Sequence, residues 1–390
     1  MKNLVKKFFD SNRKHFSENG KLEKLEPLFE AFETIFFMPA ETTSGSPHVK
    51  DSLDLKRFMS IVILAIVPCM IFGIYNSGRI SLGGSLQNPS LLASFQEGLI
   101  IFIPLLVISY AVGLFWEGVF AVVRGHKISE GFLVTGLLYP LILPPTMPWW
   151  QTAVGISFGV IIGKEIFGGT GRNFLNPALT ARAFLFFAYP ASMSGDSVWV
   201  SNAGPDGITG ATALALSGTA EQGENIASVL AQNNLDFFNL FTGFTPGSIG
   251  ETSALMCLIG AFFLILTGVA SWRTMAGGVV GILATGFLLN FLSGFSSNPY
   301  LSLNPFYHLV MGGFAFGIVY MATDPVSSPG IHNARWVYGF LIGMLTVLIR
   351  VFNPAYPEGA MLAILFMNLF APLLDHYAIK IRLKKRVINA

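Results

Sequence analysis

Apolar residues fill long, nearly uncharged stretches of the chain. Ten of these approach the length of a membrane-crossing helix, near residues 58–75, 98–123, 131–143, 149–167, 174–190, 253–271, 274–293, 306–323, 336–352 and 359–379. A helix that crosses the hydrocarbon core takes about 20 mostly apolar residues, within a range of roughly 17–25. Several of the ten are short of that or interrupted by glycine and proline, which predicts broken helices. Strand-length runs of alternating apolar and polar residues, the mark of a membrane barrel, are absent.

Composition supports the same class. Of 390 residues, 52% are hydrophobic and 12% charged, about half the charged fraction usual in soluble domains. Residues 1–56 differ: they are charged and lack the layout of a cleaved signal peptide. Within them Leu22, Leu25, Leu28, Phe29, Phe32, Ile35 and Phe36 recur at helical spacing, so an amphipathic helix is expected there, lying on the membrane, a partner, or this chain's own cytoplasmic face.

Basic residues near segment ends stay in the cytoplasm. Ten of the 24 lie before or at the start of the first segment and five in KIRLKKR near the end, which places both termini inside. Arg124, Lys127, Lys164, Arg172, Arg273 and Arg335 agree, with Arg79 and Arg350 as exceptions. The 194–252 stretch has six acids and no basic residue, so it is expected outside. The predicted divisions are a cytoplasmic arm (1–56), a first five-segment unit (57–193), an extracytoplasmic loop (194–252), a second unit (253–379) and a basic cytoplasmic tail (380–390).

The two units resemble each other. GFLVTGLLYPLILPP followed later by RNFLNPALTARAFLFFAYP is similar to GGFAFGIVYMATDP followed later by IRVFNPAYPEGAMLAILFMNLFAP. Tyr139 precedes Pro144, and Tyr320 precedes Pro325, by five residues, and Asn-Pro-Ala is expected to open the last helix of each unit at Asn176 and Asn353. An odd number of segments per unit gives the units opposite orientations, the inverted-repeat plan with sites near broken helices. The fold class predicted is therefore an all-α polytopic membrane protein of about ten transmembrane helices in two inverted five-helix repeats.

GKEIFGGTGRNFLNP (163–177) reads as one such break. Asn173 and Asn176, three apart, are expected to share a face and to offer donors and acceptors to a heteroaromatic ring, with helix capping as the alternative. The acids inside apolar segments are Glu117, Asp375, Asp324 and Glu165, each a candidate for an ion path because such groups are costly there. Glu117 has Arg124 seven residues along as an alternative partner, and Asp375 has Lys380 nearby. Cys69 and Cys257 sit within apolar segments, with no motif for a haem, a metal or an iron–sulfur cluster.

Residues 206–213 read DGITGATA and fit Asp-x-x-Ser/Thr-Gly-Ala-Thr, with Asp206, Thr209, Gly210, Ala211 and Thr212 at the specified positions. Flavin transferases recognise that pattern and esterify FMN to its final threonine. A threonine hydroxyl needs such activation to act as a nucleophile.

HVKDSLDLKRFM, GKEIFGGTGRNFLNPAL, GATAL, PGSIGE, GGFAFG, MATDPVS and VLIRVFNPAYPEGAMLAILF together resemble the B subunits of the sodium-translocating NADH:quinone oxidoreductase family, over nearly the whole chain. The resemblance implies covalent FMN on Thr212, riboflavin at Asn173 and Asn176, a quinone site toward the inner face, and Na+ as the transported ion. It also implies a flavin transferase and five partner subunits, which carry a second threonine-linked FMN, FAD with the NADH site, and iron–sulfur centres. Glu117 and Asp375 are then assigned to the sodium path or the quinone pocket. The family commonly has two glycines before Phe-Trp-Glu, near the quinone; here Gly113 is followed by Leu114, expected to narrow that cleft. Two alternatives stay open, namely the D subunit of the related ferredoxin:NAD oxidoreductase and a flavin-free permease of the same plan.

Overall fold

A computed structural model describes residues 55–83, 89–125, 131–201, 210–220, 223–353 and 356–387, together with Ser11. The amphipathic helix expected over 22–36 falls outside the described residues, as do Asp206 and Thr209. All regular structure among the described residues is helical. The principal helices are α1 (Leu55–Gly83), α2 (Leu91–Arg124), α3 (Gly131–Leu141), α4 (Trp149–Ile161), α5 (Pro177–Ala188), α6 (Ala213–Thr219), α7 (Ile226–Gln232), α8 (Phe237–Thr242), α9 (Ala254–Leu266), α10 (Trp272–Leu292), α11 (His332–Phe352) and α12 (Ala360–Val387). Five of them, α1, α2, α10, α11 and α12, contain stretches long and apolar enough to cross a membrane.

α2 shows how such a helix is written. Ser94, Gly98, Phe102, Leu105, Ser109, Gly113, Glu117 and Ala121 are buried, a face that recurs every three or four residues, as helical periodicity requires. Ile100, Val107 and Phe115 on other faces are exposed. Small and polar residues inward with apolar residues outward suits a helix whose solvent is lipid, where close packing replaces hydrophobic exclusion as the driving force. The most intimate helix pair, α10 with α11, follows that rule: a Cβ on Gly343 would lie 2.2 Å from the carbonyl oxygen of Gly278, so the backbones meet because side chains are missing.

Helix ends follow local chemistry. Ser90 caps α2 by accepting from the Ala93 N–H at 3.2 Å, and Gly125 closes it in the left-handed region at φ 65°. Pro144 and Pro145 follow the end of α3, where proline cannot continue the ladder. The segment expected at 306–323 is broken into Tyr307–Val310, Phe314–Phe316 and a π-helical turn, Gly317–Met321. The expected opening of the last helix at Asn353 does not occur: Asn353 closes α11, its N–H donating to Ile349 O at 2.8 Å, and α12 starts at Ala360. Asn176 thus begins one helix and Asn353 ends another, because in the second unit a turn through Tyr356–Gly359 intervenes. α12 also runs through the boundary at 379 and absorbs most of the basic tail.

The described residues of the 194–252 stretch are folded rather than slack. α6, α7 and α8 bury Leu214, Ile226, Leu230 and Leu240, and its end packs back onto the α3 break, with Gly250 N–H donating to Leu141 O at 2.7 Å.

Candidate cofactor-binding site

Beyond α4 the chain makes a short 3-10 turn at Glu165–Phe167, then turns through Gly168, Gly169 and Gly171 at φ +115°, +88° and +87°. Residues with a Cβ resist those values and glycine does not. The run ends at Asn176, whose Oδ1 accepts from the Ala178 and Leu179 N–H groups at 3.0 and 3.3 Å, with Pro177 as the first helical residue of α5. Asn173 Nδ2 donates to Leu175 O at 2.9 Å. The two asparagines are not on one helical face, since residues 170–176 are irregular. They nevertheless line one pocket, together with Thr135, Lys164, Thr170 and Asp324. Thr170 Oγ1 is buried there without a hydrogen-bond partner.

The acids have partners that sequence spacing did not indicate. Glu117 is ion-paired with Lys164, both side chains buried, and not with Arg124. Arg124 pairs instead with Glu165 at 3.2 Å. Asp324, on the pocket wall, accepts from Ser327 Oγ at 2.7 Å. Asp375 is set apart from these: its two oxygens accept from the N–H groups of Gly330 and Ile331 at 2.8 and 3.0 Å, which ties α12 to the start of α11.

Gly113 and Leu114 also separate. A Cβ on Gly113 would lie 1.9 Å from Phe132 Cζ, so this glycine admits the Phe132 ring of α3. Leu114, one residue or about 100° round the helix, is exposed on α2. It therefore stands on an outward face, away from the contact that Gly113 makes with Phe132.

At the other end of α5 lies a second pocket, lined by Phe186, Trp199, Thr212, Thr252, Glu251 and Glu358 among others. Thr212 is half-buried at its edge and caps α6, Oγ1 accepting from the Ala215 N–H at 3.3 Å. Gly210 is buried, and a Cβ there would sit 2.4 Å from Asp196 O; its small size serves this chain's own packing. Ala211 is half-buried. Thr252 Oγ1 and Glu358 Oε2 are buried without partners, so this pocket too has polar atoms to offer a ligand. Empty volumes, mouths included, are about 730 Å³ beside the asparagines and 820 Å³ beside Thr212.

Two arginines are buried, Arg182, which sequence reasoning passed over, and Arg350, which it met only as an exception to the charge count. Arg182, on α5, is ion-paired with Glu358 and with Glu251 at 3.2 Å, and donates to Ile142 O at 2.5 Å. Arg350, on α11, donates to His308 O and Met311 O at 2.6 and 2.8 Å and to Glu358 O at 3.1 Å. Each satisfies carbonyls freed where a helix breaks, a requirement wherever irregular backbone sits at membrane depth. This explains why Arg350 disobeyed the loop-charge count: it is a core residue. A charged residue in the middle of an apolar segment was the available signal. The structure also brings together Cys69 of α1 and Cys257 of α9, both free, with Sγ atoms 3.7 Å apart, beside Tyr320, whose hydroxyl donates to Ala65 O at 2.9 Å.

The fold and these two pockets define an all-α polytopic membrane protein with mostly apolar cavities, each carrying a few buried polar groups, at both ends of a short internal helix. Residues 42–384 match the model of the NQR2, RnfD, RnfE family, and the chain belongs to that family. It is 50% identical over 404 residues to the B subunit of the Na(+)-translocating NADH-quinone reductase of Chromohalobacter salexigens, covering 98% of this chain and 96% of that one. The subunits of the same name from Yersinia pestis and Klebsiella pneumoniae are 47% and 48% identical, with at least 98% of each chain covered.

Proposed function

We propose that this chain is the membrane subunit of a redox pump that passes electrons from NADH, oxidised on a partner subunit, to quinone, and couples their passage to outward movement of Na+. The names of its relatives support quinone over ferredoxin chemistry. The observation that carries the flavin part is the pair of pockets: one holds the last threonine of a flavinylation pattern at its edge, the other holds two asparagines, and α5 joins them. Flavins in these pockets supply the electron-carrying chemistry, while the protein sets their spacing and surroundings. Pro177 and Phe186, which touch the two pockets, are nine residues apart on α5, about 14 Å at the helical rise.

The asparagines suit a flavin's pyrimidine edge for a specific reason. Asn176 uses Oδ1 for its cap and keeps Nδ2 as donor; Asn173 uses Nδ2 locally and keeps Oδ1 as acceptor. One donor beside one acceptor complements a carbonyl beside a ring N–H. On this reading Thr170 Oγ1 adds a hydroxyl contact. The Thr212 pocket is assigned to the extracytoplasmic side and the asparagine pocket to the cytoplasmic side.

The reading is tested on the purified complex: on a denaturing gel this chain's band fluoresces as flavin, and acid extraction releases riboflavin. A dark band from a host that has the transferase overturns the assignment at Thr212. Asn176→Ala and Asn176→Asp both lose riboflavin from the extract, but only the alanine variant also loses the α5 cap, a cost of about 0.5–2 kcal/mol measured by thermal unfolding. Retention of riboflavin in both variants sinks the ring-edge contact.

Asp375 is assigned to the sodium path. Asp375→Asn keeps an acceptor for one of the two N–H groups it binds while removing the charge. The Na+ concentration for half-maximal stimulation of turnover is expected to rise about tenfold, or ~1.4 kcal/mol, with FMN attachment intact. An unchanged sodium dependence confines Asp375 to its capping role.

A further inference from the structure

Two chain segments touch both pockets and a third, α3, touches the first; buried arginines meet freed carbonyls just beyond α3 and on one of the other two. α3 contributes Leu138 to the asparagine pocket, and just beyond its end Ile142 O accepts from Arg182. α5 contributes Pro177 to that pocket and Phe186 to the other, with Arg182 between them. The broken stretch contributes Thr323 to the first pocket and Gly312 to the second, and Arg350 holds its His308 and Met311 carbonyls. Both arginines are 1% exposed. Glu358 joins them, its carboxylate paired with Arg182 and its carbonyl accepting from Arg350.

Carbonyls at the ends of broken helices are where transporters of this general plan coordinate alkali cations. Here covalently held guanidinium groups occupy them. Arginine stays charged at any relevant pH; Glu251 and Glu358 offset the charge of Arg182, and the guanidinium N–H groups hold the carbonyls and carboxylates that a cation would otherwise take as ligands, which bars its way between the pockets. We propose that Arg182, with Arg350 and their shared partner Glu358, is a cation barrier that keeps the two pockets from joining into a through-path for Na+. Electrons pass between the pockets and cations do not. Any Na+ that this chain handles on one face reaches the other by a route outside the line between them. Arg182 is the specificity-determining residue because it lies on the helix that touches both pockets, and its two carboxylates, Glu251 and Glu358, line the pocket beside Thr212.

This inference rests on the opposite-sided placement of the pockets proposed above, and not on their flavins. It is tested with the whole complex reconstituted in phosphatidylethanolamine–phosphatidylglycerol vesicles, by following entry of radioactive sodium and radioactive chloride without NADH. Wild-type vesicles are expected to take up sodium no faster than protein-free vesicles; a passive sodium leak in the wild type overturns the barrier at once. Arg182→Gln, and the charge-balanced double variant Arg182→Gln/Glu358→Gln chosen to keep assembly, are expected to raise passive sodium entry at least about tenfold over wild type with chloride entry unchanged, a factor equivalent to ~1.4 kcal/mol. Arg182→Lys, which keeps the charge, is expected to remain tight. Sodium entry at the wild-type rate in the double variant, equal rises for sodium and chloride, or a leak through Arg182→Lys as large as through Arg182→Gln each overturn the proposal. NADH-driven sodium uptake by the same wild-type vesicles reports separately on the redox-pump reading.

Discussion

Thr212→Ala is expected to abolish flavin fluorescence in this chain's band on a denaturing gel and to lower NADH-driven quinone reduction at least about 100-fold, ~2.7 kcal/mol in activation free energy. The hydroxyl of Thr212 has two separable uses. It caps α6 through the Ala215 N–H, and it is the proposed attachment point for FMN. Losing the cap costs about 1 kcal/mol, a minor fault in a seven-residue helix. Losing the attachment breaks the electron route. Thr212→Asn distinguishes them, because asparagine caps as well as threonine and offers no hydroxyl. Both variants are expected to be dark and inactive. A fluorescent, active alanine variant ends the assignment, and an asparagine variant with normal turnover shows that only the cap mattered.

The second large effect is expected at Glu117 and Lys164. Their pair is buried on both sides, and removing one member of such a pair strands a charge at a cost of about 3–5 kcal/mol. Glu117→Gln, which strands Lys164, should lower the thermal stability of the complex by an amount in that range and Lys164→Met by less, because Glu117 has a further partner, while Glu117→Gln/Lys164→Met recovers much of the Glu117→Gln loss. Additive losses in the double-mutant cycle would show that the two side chains do not depend on each other. The pairing also bears on sodium. With Lys164 against it, Glu117 is closed to a cation in this conformation, so a sodium role requires Lys164 to move aside. Glu117→Gln is accordingly expected to weaken the sodium stimulation of turnover as well as stability.

Apolar runs and their interruptions could be read directly from the residues, because hydropathy and proline or glycine act locally. All ten expected segments correspond to helices or to a broken helical stretch. The break at 163–177 was legible for the same reason, since three of its glycines, Gly168, Gly169 and Gly171, stand where positive φ is needed. Partner identity was not legible. Glu117 meets Lys164 across 47 positions and Arg182 meets Glu358 across 176, distances over which helical spacing rules say nothing. Arg124, seven residues from Glu117, looked like the partner only because spacing is all a single sequence supplies. The repeat misled at Asn353 because similar letters do not carry the intervening turn. That Gly113 faces Phe132 while Leu114 faces outward was not legible from the letters Gly-Leu, because only packing says which face of the helix is buried. Arg182 went unread because the charge count that orients a membrane protein concerns loops, and this charge lies inside a helix.

The two cysteines acquire a mechanical meaning from their position. Cys69 belongs to a helix before the 194–252 stretch and Cys257 to one after it, and Tyr320 reaches across to the backbone of the same turn of α1. Three contacts converge on one buried point between the two groups of helices. Any motion of one group of helices against the other must break these contacts or carry them along, so the thiols report on that motion from inside the fold.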